Sequence, residues 1–165
     1  MILNNDGRKR MSIIIRQYQQ ADQEFVMKLH VDGLLQFSAS IGNPYLDKDM
    51  EQIEENYLNK NGEFLVGMYN NRIVSMGAYR KYDSDTAEIK RIRIDQEYQR
   101  RGIGQLILTA LEESAKVRGY RRFVLDTTSQ QLPAQKFFER NGYNEINRKL
   151  FKEMEIIYYL KEIEG

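Results

Sequence analysis

Residues 86–104 read Thr86-Ala87-Glu88-Ile89-Lys90-Arg91-Ile92-Arg93-Ile94-Asp95-Gln96-Glu97-Tyr98-Gln99-Arg100-Arg101-Gly102-Ile103-Gly104. The first ten residues have a strand pattern with one irregularity. Ala87 and Ile89 share one parity, and Ile92 and Ile94 share the other. A strict two-residue period cannot keep both pairs on one face of a sheet. One extra residue between Ile89 and Ile92, a β-bulge, restores the apolar side. A central strand covered on both faces also permits mixed parity.

After the strand and a short turn, Gly102 and Gly104 stand at the start of a helical pattern. Ile103, Leu106, Ile107, Ala110, Leu111 and Ala115 form its apolar stripe, and Gly119 is placed to end it. The first turn of a helix presents unpaired N–H groups and the positive end of its dipole. Glycines let a ligand approach that backbone closely, and Arg100 and Arg101 add positive charge. The combination suits a pyrophosphate and needs no metal. The same glycines would also serve a tight turn packed against a sheet. The spacing fits neither a dinucleotide fingerprint nor a P-loop: Ile107 stands where a third glycine would be, and no Gly-Lys-Ser/Thr follows.

Working outward, Ser12–Tyr18 reads as a strand, and Asp22 precedes a helix with Phe25, Val26 and Leu29 on one face. His30 on that helix reads as a surface or packing residue. Gly33–Leu46 is loop-rich. Asp47–Leu58 has Met50, Ile53 and Tyr57 at helical spacing, and Asn61-Gly62 ends it. Its carboxylates, Asp47, Asp49, Glu51, Glu54 and Glu55, read as a solvated face or as an attraction for a cationic substrate. Glu63–Tyr69 and Arg72–Lys81 are strands joined by Asn70-Asn71, which suits a type I′ turn. Phe123–Thr127 and Met154–Ile163 read as later strands.

The 165 residues hold 25 Lys+Arg, 24 Asp+Glu, one His and no Cys or Trp, with 41% hydrophobic residues. That is enough chain for one domain with its own core. Without Cys there is no disulfide framework, thiolate nucleophile or Cys-ligated metal. With His30 alone, no His-rich metal site can be built. Catalysis must use carboxylates, hydroxyls, amines, backbone dipoles or a borrowed cofactor. The formal charge of +1 gives no reason to expect nucleic acid or an anionic membrane as partner. No apolar run approaches a membrane span, and the expected compartment is a reducing cytoplasm. Residues 1–11 are expected to be a disordered tail, with Met11 a candidate start, and 12–163 a single domain.

Gln99-x-x-Gly102-x-Gly104 resembles the signature with which GNAT acetyltransferases bind the pyrophosphate of acetyl-CoA. Ala87-Glu88-Ile89 stands upstream at the spacing of that family's bulged fourth strand. Phe123–Thr127 is similar to its fifth strand, and Ala134–Tyr143 to its next helix and the turn into the following strand. Leu125-Asp126-Thr127 with Gln131-Leu132-Pro133-Ala134 is similar to an amino-acid and cysteine-conjugate subset. The resemblance implies an α/β (α+β) fold. Its mixed, mostly antiparallel sheet has about seven strands flanked by about four helices, with the fourth and fifth strands splayed.

By the same resemblance the co-substrate is acetyl-CoA, with no metal. Its pantetheine arm lies along the backbone of Ile92, Arg93 and Ile94. The pyrophosphate is held by Gln99, Arg100, Arg101, Gly102, Ile103, Gly104 and Gln105. Gln131 is a further cofactor-binding residue, and the Phe138 ring packs beside the thiol end. The backbone N–H of Ile92 is implied as oxyanion donor. Glu88 is implied as base, with an ion pair to Lys90 or Arg91 as its ordinary alternative. The implied activity is transfer of an acetyl group to a primary amine of a small molecule, amino acid or peptide. The alternative is a non-catalytic acyl-CoA-binding module. The residues do not fix an oligomeric state; the resemblance is compatible with a homodimer, since dimers are frequent in that family. Phe138 departs from the pattern, since many members carry there a Tyr that protonates the leaving thiolate. Tyr143, a water or no acid at all would have to serve instead.

Overall fold

The computed structural model describes residues 11–36 and 44–163, so the expected tail lies outside it except for Met11. Strand β1 (Ile14–Gln17) leads through a 3-10 turn into helix α1 (Gln23–Gln36). The turn is closed by Asp22, whose carboxylate accepts from the Gln19 amide at 2.8 Å and from Arg16 at 2.7 Å. Val26, Leu29 and His30 are the buried face of α1, one helical turn apart. Phe25, expected on that face, is instead exposed, because it sits a hundred-degree step away from Val26. The helix also runs through Gly33 to Gln36 into the stretch read as loop; the rest of that stretch to Asn43 is not described.

The helix expected over Asp47–Leu58 is broken into three pieces. A 3-10 segment spans Pro44–Glu51, helix α2 is Ile53–Asn56, and a second 3-10 turn is Leu58–Lys60. Gln52 between the first two is far from helical, with φ −138° and ψ 69°. The apolar period survives the break, and Met50, Ile53 and Tyr57 are all buried. Asn61 ends the segment in the left-handed region, as its type and Gly62 suggest.

Strands β2 (Glu63–Tyr69) and β3 (Arg72–Lys81) form the expected hairpin, with positive φ at both Asn70 and Asn71. Strand β4 (Thr86–Ile94) pairs with β3 and contains the bulge. Ala78 faces Lys90 and Met76 faces Arg93, so Arg91 and Ile92 together oppose Gly77. Arg91 takes φ +61° to make room for the extra residue. Ala87 and Ile89 are core, and Ile92 packs against the same cluster, so the bulge keeps one apolar side.

Helix α3 (Ile103–Val117) buries Ile103, Ile107, Leu108, Leu111 and Ala115. Leu106, expected in the stripe, is 46% exposed, and Leu108 takes the inward position. Strand β5 (Arg122–Thr128), helix α4 (Leu132–Arg140), and strands β6 (Asn144–Phe151) and β7 (Met154–Glu162) complete the chain. Pro133 stands in the first turn of α4, where a missing N–H costs nothing.

The seven strands form one sheet in the order β1-β2-β3-β4-β5-β7-β6. All neighbours are antiparallel except β4 and β5. That parallel pair is joined only where Thr86–Glu88 meets Arg122–Val124, and beyond Glu88 the two strands part. The bulge bends β4 at the point where the sheet opens. Each face of the sheet has its own core. One cluster sits under α3 and α4, with Ile107, Leu111, Phe123 and Ile157 fully buried. The other lies under α1 and α2, with Val26, Met50, Ile53 and Phe64. Each such side chain contributes about 1.5–3 kcal/mol on burial.

Candidate active site

Past the point where β4 and β5 part, the end of β4 borders a cleft of about 590 Å³. Its floor is the end of β4, with Ile92, Arg93 and Ile94. One wall is the loop and first turn of α3, and the other is α4, with Phe137, Arg140 and Asn141. Asp95 caps the 3-10 turn Gln96–Tyr98 by accepting from the Glu97 amide at 3.0 Å. Gln99 then donates to the Ile94 carbonyl at 3.1 Å, which ties the loop back to the strand. Arg100 (φ +63°) and Gly102 (φ +81°) both take left-handed backbone, and a Cβ on Gly102 would meet nothing within 4 Å. The glycine is therefore there for its conformation, not for space. The first helical bond of α3 runs from the Leu106 amide to the Gly102 carbonyl at 3.3 Å. The amides of Ile103, Gly104 and Gln105 thus point out of the helix end with its positive dipole.

Of the residues named from sequence for cofactor binding, Ile92, Arg93, Ile94, Gln99, Arg100, Gly102, Ile103, Gly104 and Gln105 come together around this cleft. Arg101 does not line it, and its guanidinium lies over the Tyr98 ring at 5.6 Å. Gln131 stands at the N-cap position of α4 without a side-chain capping bond, and its amide oxygen accepts from the Thr127 hydroxyl at 2.8 Å. Phe138 is 9% exposed and packs edge-on against Tyr143 in the core. Of the two adjacent rings it is Phe137 that lines the cleft, 3.8 Å from where a Cβ on Gly104 would be. Tyr143 is fully inside as well. Its hydroxyl donates to Glu112 at 2.9 Å, and burial, then the Glu112 charge, pushes its pKa far up. Neither residue presents an acid to the cleft.

Glu88 lies on the α1 side of β4, at the last pair before the strands part. It is 14% exposed and accepts from Arg80 Nε at 2.5 Å, so its partner is Arg80 and not Lys90 or Arg91. Desolvation lowers the Lys90 pKa, partly offset by the Glu88 charge. Desolvation first, then the same charge, raises Asp126 on β5.

The bulge itself is clamped by groups that local sequence did not point to. Arg91 donates to Asp49 through Nη2 at 2.7 Å and Nε at 3.0 Å, and the Tyr57 hydroxyl donates to the same carboxylate. Burial alone would raise the Asp49 pKa, but the bonds from Arg91 and the Arg91 charge take it below the usual range. Asp47 lies 3.5 Å from Arg91 and 3.1 Å from His30 Nε2. His30 is 1% exposed, a packing residue as expected, and desolvation followed by the Arg91 charge lowers its pKa.

Among the described residues no helix is long and apolar enough to cross a membrane, and no group of His, Asp and Glu is arranged to hold a metal ion. The fold is shared with a solved acetyltransferase of the GNAT family from Staphylococcus aureus Mu50. That likeness has a TM-score of 0.84 and 24% identity, covering 93% of this chain and 100% of the other. Human N-acetyltransferase 8 is 28% identical over 109 residues, which are 62% of this chain and 48% of that protein. Human N-acetylaspartate synthetase is 31% identical over 100 residues, 59% of this chain and 33% of that protein. The chain thus spans less than half the length of either relative. The profile of the acetyltransferase (GNAT) family matches residues 24–143, well over half of the chain and all of the bulged strand, the glycine loop and both walls of the cleft. By that match the chain belongs to the GNAT acetyltransferase family.

Proposed function

We propose that the domain over residues 12–163 is an acetyl-CoA-dependent N-acetyltransferase acting on a primary amine of a small molecule, amino acid or peptide. The observation that carries this is the continuity of one cleft from the bulge in β4 to the exposed amides of α3. The name of the human synthetase says that its product is an acetylated amino acid, which supports amino acids among the acceptors.

In this reading the amides at 103–105, with Arg100, hold the pyrophosphate. The pantetheine arm would run along the backbone of Ile92, Arg93 and Ile94, not their side chains, on the side from which β5 has withdrawn. The acceptor nitrogen attacks the thioester carbon, the C–S bond breaks, and the acetyl group leaves with the amine. The Ile92 N–H, beside the extra residue of the bulge, receives the developing oxyanion. Glu88 takes the amine proton through water. With Phe138 and Tyr143 both in the core, the thiolate leaves without a side-chain acid from α4. Gln131 and Arg101 act through the cleft walls, shaping the start of α4 and the loop before α3. We place the protein in a reducing, cytoplasmic compartment. We pair it as a homodimer through the edge of the sheet, where β6 is exposed throughout and carries Ile146, Leu150 and Phe151.

Release of free CoA over a broad amine panel, with the acetylated product detected by mass, tests the activity. Glu88→Gln is expected to lower kcat by about 100-fold with little change in the KM for acetyl-CoA. Full activity in that variant would remove the base assignment. The burial of Phe138 favours a second reading, an acyl-CoA-binding module. Calorimetric binding of CoA with no turnover on any amine would select it.

A further inference from the structure

Among the described residues lining the cleft, Arg93 has a buried cationic side chain with no carboxylate paired to it. Ile92 packs on the α3 side, so the next residue of the strand projects to the α1 side. There it runs against Gly33. A Cβ at Gly33 would stand 2.6 Å from Arg93 Cδ and 2.9 Å from its Nε. A glycine inside a helix costs about 1 kcal/mol against alanine, and here it gives the guanidinium its room. Among the described residues the Arg93 Nε is buried with no hydrogen-bond partner. The side chain's hydrogen bond is a long one, 3.5 Å from Nη1 to the Ile92 carbonyl. No carboxylate among the described residues lies within ion-pair distance. Asp47 contributes some negative potential but is held between His30 and Arg91. Desolvation first, and then repulsion from Arg91, pushes the Arg93 pKa down to about 10.

A partly desolvated cation without a counter-charge is costly, and it becomes favourable when an anion fills the space beside it. The planar fork of a guanidinium matches a carboxylate through two parallel hydrogen bonds. The phosphates of the co-substrate have their own donors at the end of α3, whereas Arg93 projects from β4 towards α1, next to the Ile92 amide where the acetyl group is delivered. Resting on the acetyl-transfer reading above, we propose that Arg93 receives a carboxylate of the acceptor, so that the preferred acceptor is an amine that also carries a free carboxylate. Gly33 is then part of the same subsite, because any side chain there would fill it.

The test pairs amino acids, both α- and ω-amino, with their amides, and compares kcat/KM within each pair for the wild type, Arg93→Gln and Arg93→Lys. The wild type is expected to prefer the carboxylate member of at least one pair by about 10- to 100-fold. Arg93→Gln should reduce that preference to within about threefold, and Arg93→Lys should restore part of it. The KM for acetyl-CoA should stay within about threefold in both variants. Equal rates for acid and amide in the wild type would overturn the proposal without needing any variant. So would a preference that survives Arg93→Gln. A large rise in the KM for acetyl-CoA with the preference intact would assign the guanidinium to a phosphate and overturn it too. If no amine accepts acetyl, it is the transferase reading that fails. Calorimetry of the same amino acids on the CoA-loaded protein then decides Arg93: binding lost in Arg93→Gln supports it, and no binding by the wild type overturns it.

Discussion

At the scale of single residues, the bulge depends on a contact that spans the chain. Arg91 has positive φ without being glycine, a conformation that costs on the order of 1–2 kcal/mol and persists only where its surroundings impose it. Asp49 imposes it through two hydrogen bonds, and the pair is little exposed, 11% for Arg91 and 14% for Asp49. Asp49→Asn keeps the shape and removes the charge, taking from the buried Arg91 the shorter of its two ion pairs. We expect a loss of about 3 kcal/mol in a denaturant titration, and a kcat that falls while the KM for acetyl-CoA changes little. Unchanged stability would show that the ion pair does not hold the bulge. The bulge was legible in the sequence because Ala87/Ile89 and Ile92/Ile94 break parity. Its clamp was not, because Asp49 stands among five carboxylates of one segment and its partner is 42 residues away. Phe137 and Phe138 show the same limit. Two adjacent aromatics on a helix differ by a hundred degrees of rotation, and only packing decides which one faces the cleft.

At the scale of elements, the glycine loop and the first turn of α3 form one unit. Gly102 has open space around it but a backbone that a β-branched residue adopts with strain. Gly102→Val is therefore expected to move the loop, and with it the amides of the first turn. The expected outcome is a roughly 10-fold rise in the KM for acetyl-CoA, with a melting temperature lowered by only a few degrees. An unchanged KM would separate the loop from the phosphates. This unit was readable from local sequence, since strand, turn, glycines and apolar stripe follow each other without interruption. The segment before β2 was readable only in part. The spacing of Met50, Ile53 and Tyr57 marks the core face, and it survives in the structure. The break at Gln52 left no mark in that spacing, because a short 3-10 piece and a short α piece can bury the same side chains.

At the scale of the whole molecule, two cores grip one sheet from opposite faces, and the sheet is left open along a single line, between β4 and β5 beyond Glu88. Co-substrate and acceptor would approach that line from opposite faces, the first from α3 and α4, the second from α1. A chain with no Cys and one buried His can work this way, since a thioester arrives already activated and asks for an oxyanion donor and a base. A crystal structure with acetyl-CoA bound is the most direct measurement of this arrangement. The expected result is the pyrophosphate on the amides of residues 103–105 and the thioester oxygen about 3 Å from the Ile92 nitrogen. An acetyl-CoA molecule bound elsewhere, or one whose thioester points away from the gap between β4 and β5, would contradict it.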